Sequence, residues 1–141
     1  MLKKVLAVLF IGGLLLTGCG APGNKGTVEV PITLTEFEIQ SPRVEFETGT
    51  NYRFVVTNAG SVEHEFMLMA PLTKDHMGMA MDMETMDAMA LAMIHSSDLP
   101  AGATASVEYT FTKPAPAGQL EFACHTPGHY EADMRLPIVV K

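Results

Sequence analysis

In the stretch Cys124, His125, Thr126, Pro127, Gly128, His129, Tyr130, Glu131, Ala132, Asp133, Met134, a thiol, an imidazole and a thioether recur at five-residue steps. Donors of such different softness in one short loop fit a metal that changes oxidation state. Soft sulfur holds Cu(I) and borderline nitrogen holds Cu(II), and a trigonal His-His-Cys set with a weak axial Met serves both. The loop supplies three of those four groups, so the fold must bring it a further histidine from another segment.

Cysteine usage supports a metal. Only Cys19 and Cys124 are present, and Cys19 belongs to a different pattern. Met1, Leu2, Lys3 and Lys4 form a basic start, Val5 to Leu16 is an apolar run, and Leu16, Thr17, Gly18, Cys19 read as a lipobox. The run is about a dozen residues, well short of the ~20 that span a bilayer as a helix. Residues 1–18 therefore read as a secretory signal, against the plainer alternative of a short transmembrane or buried helix. Resemblance to bacterial lipoproteins implies cleavage before Cys19 and a lipid on its sulfur, with 19–26 as a tether. Cys124 is then a lone thiol outside the cytoplasm, prone to oxidation or intermolecular pairing unless a metal occupies it. The same count excludes an intramolecular disulfide, a centre bridged by two cysteines and a multi-cysteine zinc site.

A length of 141 residues indicates one domain, spanning 27–141. The formal charge of −7 becomes −9 when Lys3 and Lys4 leave with the signal (−7 − 2). That balance argues against nucleic acid and against membrane contact beyond the lipid anchor. A protein partner would meet the domain with a basic docking face.

Alternating runs punctuated by turn residues predict seven or so short strands: Thr27 to Ile39, Val44 to Phe46, Tyr52 to Val56, His64 to Leu68, Ser106 to Phe111, Leu120 to Cys124 and Arg135 to Val140. Their spacing predicts an all-β, antiparallel Greek-key sandwich or barrel. His64 is the candidate fourth ligand, because it follows the Asn58, Ala59, Gly60 turn and opens the next apolar run. Its competitors are His76 and His95 in the middle segment and His125 beside the cysteine. His125 should point away from Cys124 if that residue ends a strand.

With Asn58 to His64, Phe122 to Cys124, Pro127, Gly128, His129 and Met134 in place, the chain resembles the cupredoxins, small blue-copper electron carriers. The similarity covers 27–141 apart from the middle insertion, and the loop spacing is similar to that of auracyanin and rusticyanin. It implies one type 1 copper with His64, Cys124 and His129 as equatorial ligands and Met134 as the axial one. It also implies that the His129 ring edge lies near the surface as the electron exit. Two positions depart from the pattern: Asp133 stands where many relatives carry Gly, and Glu65 where a small polar residue is common. A carboxylate close to the copper would favour Cu(II) and lower the potential; both side chains facing solvent is the alternative.

The insertion, about 70–95, belongs to a stretch from Met67 to Met93 that holds nine of the eleven methionines. Met77, Met79, Met81 and Met83 alternate directly after His76, and thioethers bind Cu(I) without deprotonation. These five residues form a possible second Cu(I) site. Against this, Met79, Met83, Met86, Ala90 and Met93 fall at helical spacing, which reads as an amphipathic helix packed on the barrel; a flexible Met face could also dock a partner. Phosphate loops, nucleophile elbows and paired metal centres are missing, so the chain reads as a non-enzyme. The leading expectation is an extracytoplasmic, lipid-anchored electron carrier serving redox partner proteins. The alternative is a copper-handling protein for sequestration, delivery or tolerance, followed by a binding lipoprotein that has lost the redox role.

Overall fold

The computed structural model describes residues 26–73 and 82–141. The signal and Cys19, together with His76, Met77, Met79 and Met81, lie outside the described residues, and of Met83 only the backbone is described. The described strands are β1 (Val28–Leu34), β2 (Ile39–Gln40), β3 (Glu45–Phe46), β4 (Asn51–Asn58) and β5 (Phe66–Met69). After helix α1 (Met83–Met89) come β6 (Ala92–Ile94), β7 (Thr104–Thr110), β8 (Ala115–Ala123) and β9 (Arg135–Val140). They form a four-stranded sheet in the order β2-β1-β4-β7 and a five-stranded sheet in the order β3-β9-β8-β5-β6.

The all-β sandwich expected from the strand spacing is present, with two parallel contacts among otherwise antiparallel ones. β1 runs parallel to β4, from Val28 opposite Tyr52 to Leu34 opposite Asn58, and β3 runs parallel to β9. The run expected from Thr27 to Ile39 is a hairpin. The chain reverses where Thr35 N–H bonds the Glu38 carbonyl at 3.0 Å, and Ile39 returns opposite Leu34.

Alternation decides what faces inward. β4 buries Tyr52, Phe54, Val56 and Asn58, and β1 buries Val30, Ile32 and Leu34. Phe46, Phe54, Phe66 and Phe122 meet between the sheets with ring centroids 5.0–5.9 Å apart, and each is at most 1% exposed. Fully burying such a ring is worth about 1.5–3 kcal/mol.

All four residues of β5 are buried. Phe66 and Leu68 face the main core, whereas Met67 and Met69 join Met86, Met89, Met93, Leu72 and Ala90 in a separate cluster. The helix thus covers the outer face of the five-stranded sheet, as the helical spacing suggested for Met86. It is shorter than that spacing implied. Asp82 caps its start, the carboxylate accepting Thr85 N–H at 2.8 Å. Ala90 is already the C-cap and Met93 sits in β6 opposite Met67. The edge of β5 ends the helix: Leu91 N–H bonds the Leu68 carbonyl at 2.8 Å, satisfying main-chain groups that an extended helix would leave open.

Because Met69 is 0% exposed and packs away from the main core, Met69→Ala is expected to lower apoprotein stability by about 2–5 kcal/mol. A urea titration of the metal-free protein checks this; an unchanged midpoint would mean the helix layer is not a packed one.

Candidate metal centre

His64, Cys124 and His129 come together at one end of the sandwich, their ligand atoms all within 4.8 Å of one another. The two Nδ1 atoms are 3.1 Å apart, and Cys124 Sγ lies 3.8 Å from His64 Nδ1 and 3.5 Å from His129 Nδ1. First-row metals hold nitrogen at about 2.0–2.1 Å and thiolate at about 2.3 Å, so a trigonal set has edges of roughly 3.5–3.8 Å. The three donors fit such an ion, and their mixture of one thiolate with two imidazoles suits copper. Met134 is fully buried beside them.

His64 is delivered by a loop organised around Asn58. That side chain is fully buried; its amide donates to the Val62 carbonyl at 2.7 Å and the Leu99 carbonyl at 2.9 Å, and its oxygen accepts Gly60 N–H at 2.9 Å. Gly60 is required by close approach: a Cβ there would lie 2.9 Å from His64 Nε2.

The other ligands stand on the loop between β8 and β9. Cys124 N–H bonds the Met134 carbonyl at 3.1 Å, closing the loop at its base. His129 N–H bonds the Thr126 carbonyl at 2.9 Å around Pro127 and Gly128, and Gly128 has φ +87°. Pro then Gly at positive φ is the signature of a type II turn, and it aims His129 at the sulfur. Asp133 also has positive φ, 68°, which explains why Gly suits the position. Its carboxylate faces solvent and pairs with Arg135 Nε at 2.6 Å.

Electrostatics keep the imidazole lone pair of His64 available. Burial lowers its pKa, and the nearby His129 lowers it further. Burial pushes the Cys124 thiol up, while the Thr126 side chain and the N–H groups of Glu65 and Thr126 pull it back. A bound cation would supply the remaining bias toward thiolate.

Behind the ligands lies a second polar layer. Glu65 is 1% exposed, and its carboxylate accepts His125 N–H at 2.8 Å, tying the His64 strand to the Cys124 loop. His125 points away from the cysteine, as expected from alternation, and stacks on Tyr130 at 4.3 Å; burial lowers its pKa to about 4. Tyr130 O–H donates to the buried Glu121 carboxylate at 2.6 Å and accepts Leu72 N–H at 3.2 Å. Of the two acids singled out in the sequence, one is therefore buried and one exposed. His95 is exposed, capping the 3-10 turn Ser96–Asp98 outside the donor cluster.

The His129 ring is less open than the sequence implied. It is 9% exposed, and Phe37, 56% exposed, stands edge-on to it at 5.5 Å and 76°. The sequence did carry a signal: Val28, Val30, Ile32 and Leu34 share one parity, and Phe37 breaks it.

No protein-family model matches the chain. The chain is 35% identical over 130 residues to the copper-resistant cuproprotein CopI of Rubrivivax gelatinosus, across 89% of this chain and 74% of that protein. Among solved structures, auracyanin A, a "blue" copper protein from Chloroflexus aurantiacus, superposes with TM-score 0.59 at 20% identity over 82% of this chain and all of the other. Rusticyanin from Thiobacillus ferrooxidans gives TM-score 0.59 at 20% identity over 84% and 79%. The two structures share the fold.

Two outcomes follow from this geometry. Gly60→Ala should displace the His64 ring and weaken or shift the visible band of the copper-loaded protein, whereas an unaltered spectrum would mean the loop yields without cost. Burial raises the Glu121 pKa above its ordinary value, with the Tyr130 hydrogen bond opposing. Between the unfolded and folded pKa the native state binds more protons, so this group costs stability as pH rises through that window. Glu121→Gln keeps an acceptor for Tyr130 and removes the charge. Its melting temperature relative to wild type should rise from pH 4 to pH 7; a constant difference would refute the assignment.

Proposed function

The chain belongs to the CopI family of copper-resistant cuproproteins, and from that premise we propose that it is a type 1 copper protein that carries single electrons outside the cytoplasm. The observation that carries this reading is the convergence of two Nδ1 atoms and one Sγ within 3.1–3.8 Å in a buried pocket. His64, Cys124, His129 and Met134 would hold the metal. When bound, copper supplies a one-electron couple between Cu(II) and Cu(I).

The chain's own groups keep that couple fast by keeping it rigid. Asn58 fixes the His64 loop, the Cys124 to Met134 bond closes the other, and Glu65 joins the two. Ligands that move little between oxidation states leave little reorganisation to the electron. Met134 and Cys124, both 0% exposed, exclude water from the interior side. His129 and then Phe37 form the outward route. A donor set made only of protein groups would leave no obvious position for a substrate, which supports a carrier reading.

The excess of acids favours redox partners that present basic residues around an apolar contact for Phe37. Attachment through lipid on Cys19 would confine these encounters to a membrane surface. A second reading is favoured by the relative, which is described as copper-resistant: the protein handles the ion itself, with His76, Met77, Met79, Met81 and Met83 as a Cu(I) site.

Loaded with Cu(II), the fragment from Thr27 onward should show an intense thiolate-to-copper band that is lost in Cys124→Ala and disrupted in His64→Ala but kept in His76→Ala and His95→Ala. A colourless complex removes the type 1 reading. Titration with Cu(I) separates the two roles. One ion per chain supports the carrier, while a higher stoichiometry that falls to one on replacing Met77, Met79, Met81 and Met83 supports copper handling.

A further inference from the structure

Thr126 places its Oγ1 3.4 Å from Cys124 Sγ. In the thiol form the S–H donates and the hydroxyl accepts. A thiolate has no proton to give, and a hydroxyl is both donor and acceptor. Once Cys124 is a metal ligand, the same contact can only run from the Thr126 O–H to the sulfur. Among the described residues the hydroxyl has no other hydrogen-bond partner.

The backbone holds it there. Thr126 precedes Pro127, which biases it to the extended region, and its carbonyl is engaged by His129 N–H at 2.9 Å. A β-branched side chain has few χ1 choices. Hydroxyl and sulfur, two residues apart on an extended segment, therefore share one side of the chain.

We propose that in the copper-loaded protein the Thr126 hydroxyl donates a hydrogen bond to the Cys124 thiolate and thereby raises the potential of the centre. This rests on the type 1 reading above. Withdrawing charge from the sulfur weakens its donation to the metal, and Cu(II) depends on that donation more than Cu(I) does. The same withdrawal lowers the sulfur orbital, so the thiolate-to-copper transition moves to higher energy. Thr126 acts through the cysteine and is a positioning and tuning residue, distinct from the ligands.

The test compares wild type, Thr126→Val and Thr126→Ser, each loaded with Cu(II), by voltammetry and visible absorption, with urea unfolding of each metal-free protein alongside. Val keeps the branched shape and removes the donor, while Ser keeps the donor. The expected result is a lower potential and a band at longer wavelength in Thr126→Val, with Thr126→Ser close to wild type. Resonance Raman adds a readout that packing alone would not move: the shift of the copper–sulfur stretch on transfer to heavy water should shrink in Thr126→Val and persist in Thr126→Ser. Equal potentials in all three, or Val and Ser displaced alike, overturn the proposal. If Val does not fold, Thr126→Ala against Thr126→Ser decides on the same criteria. Absence of the band in wild type would instead sink the type 1 reading, so the two failures are distinguishable.

Discussion

The pairing of β5 with β8 is the constraint on which the rest depends. Met67 lies opposite Ala123 and Leu68 opposite Phe122, so the start of one strand and the end of the other share an end of the sheet. His64 precedes the first and Cys124 follows the second, and residues 60 apart in sequence come within 3.8 Å. β8 in turn pairs with β9, with Ala123 opposite Arg135, which fixes both feet of the ligand loop. A slip of one residue in either ladder would send the donors to opposite faces.

β5 also acts as a divider. From position 64 onward the even residues, His64, Phe66 and Leu68, face the inner side, and the odd ones, Glu65, Met67 and Met69, face the layer under α1. Metal chemistry and methionine packing are thus two sides of one strand. Glu65 and Glu121 sit in that outer layer with raised pKa values caused first by burial. Each is engaged by one hydrogen-bond donor, His125 N–H and Tyr130 O–H respectively, so the layer is polar where it touches the ligand loop and apolar under the helix.

Much of the site was readable because its residues are rare and closely spaced. Cys124, His129 and Met134 share one loop, and His64 followed from a turn and a strand. The alternating core of β1 and β4 was equally plain. What escaped depends on long-range partners: a strand's pattern does not say whether its neighbour runs parallel, so the β1–β4 and β3–β9 contacts were invisible. The apolar run of β5 hid its two-sided burial, because covered faces lose alternation. Helical spacing carried through Met93 although the sheet edge claims that residue. The Tyr130–Glu121 bond joins residues nine apart across a fold that the spacing alone does not draw.

Phe37 standing over His129 has a consequence for what may pass the protein's surface. An electron crosses a van der Waals contact between two rings; a metal ion needs an open donor and room for its departing waters. With His129 9% exposed and Phe37 56% exposed, the phenyl ring stands between the imidazole and solvent, where a chelator or competing ion would first have to displace it. On the carrier reading proposed above, that end of the sandwich would act as a filter by particle, open to electrons and closed to mass.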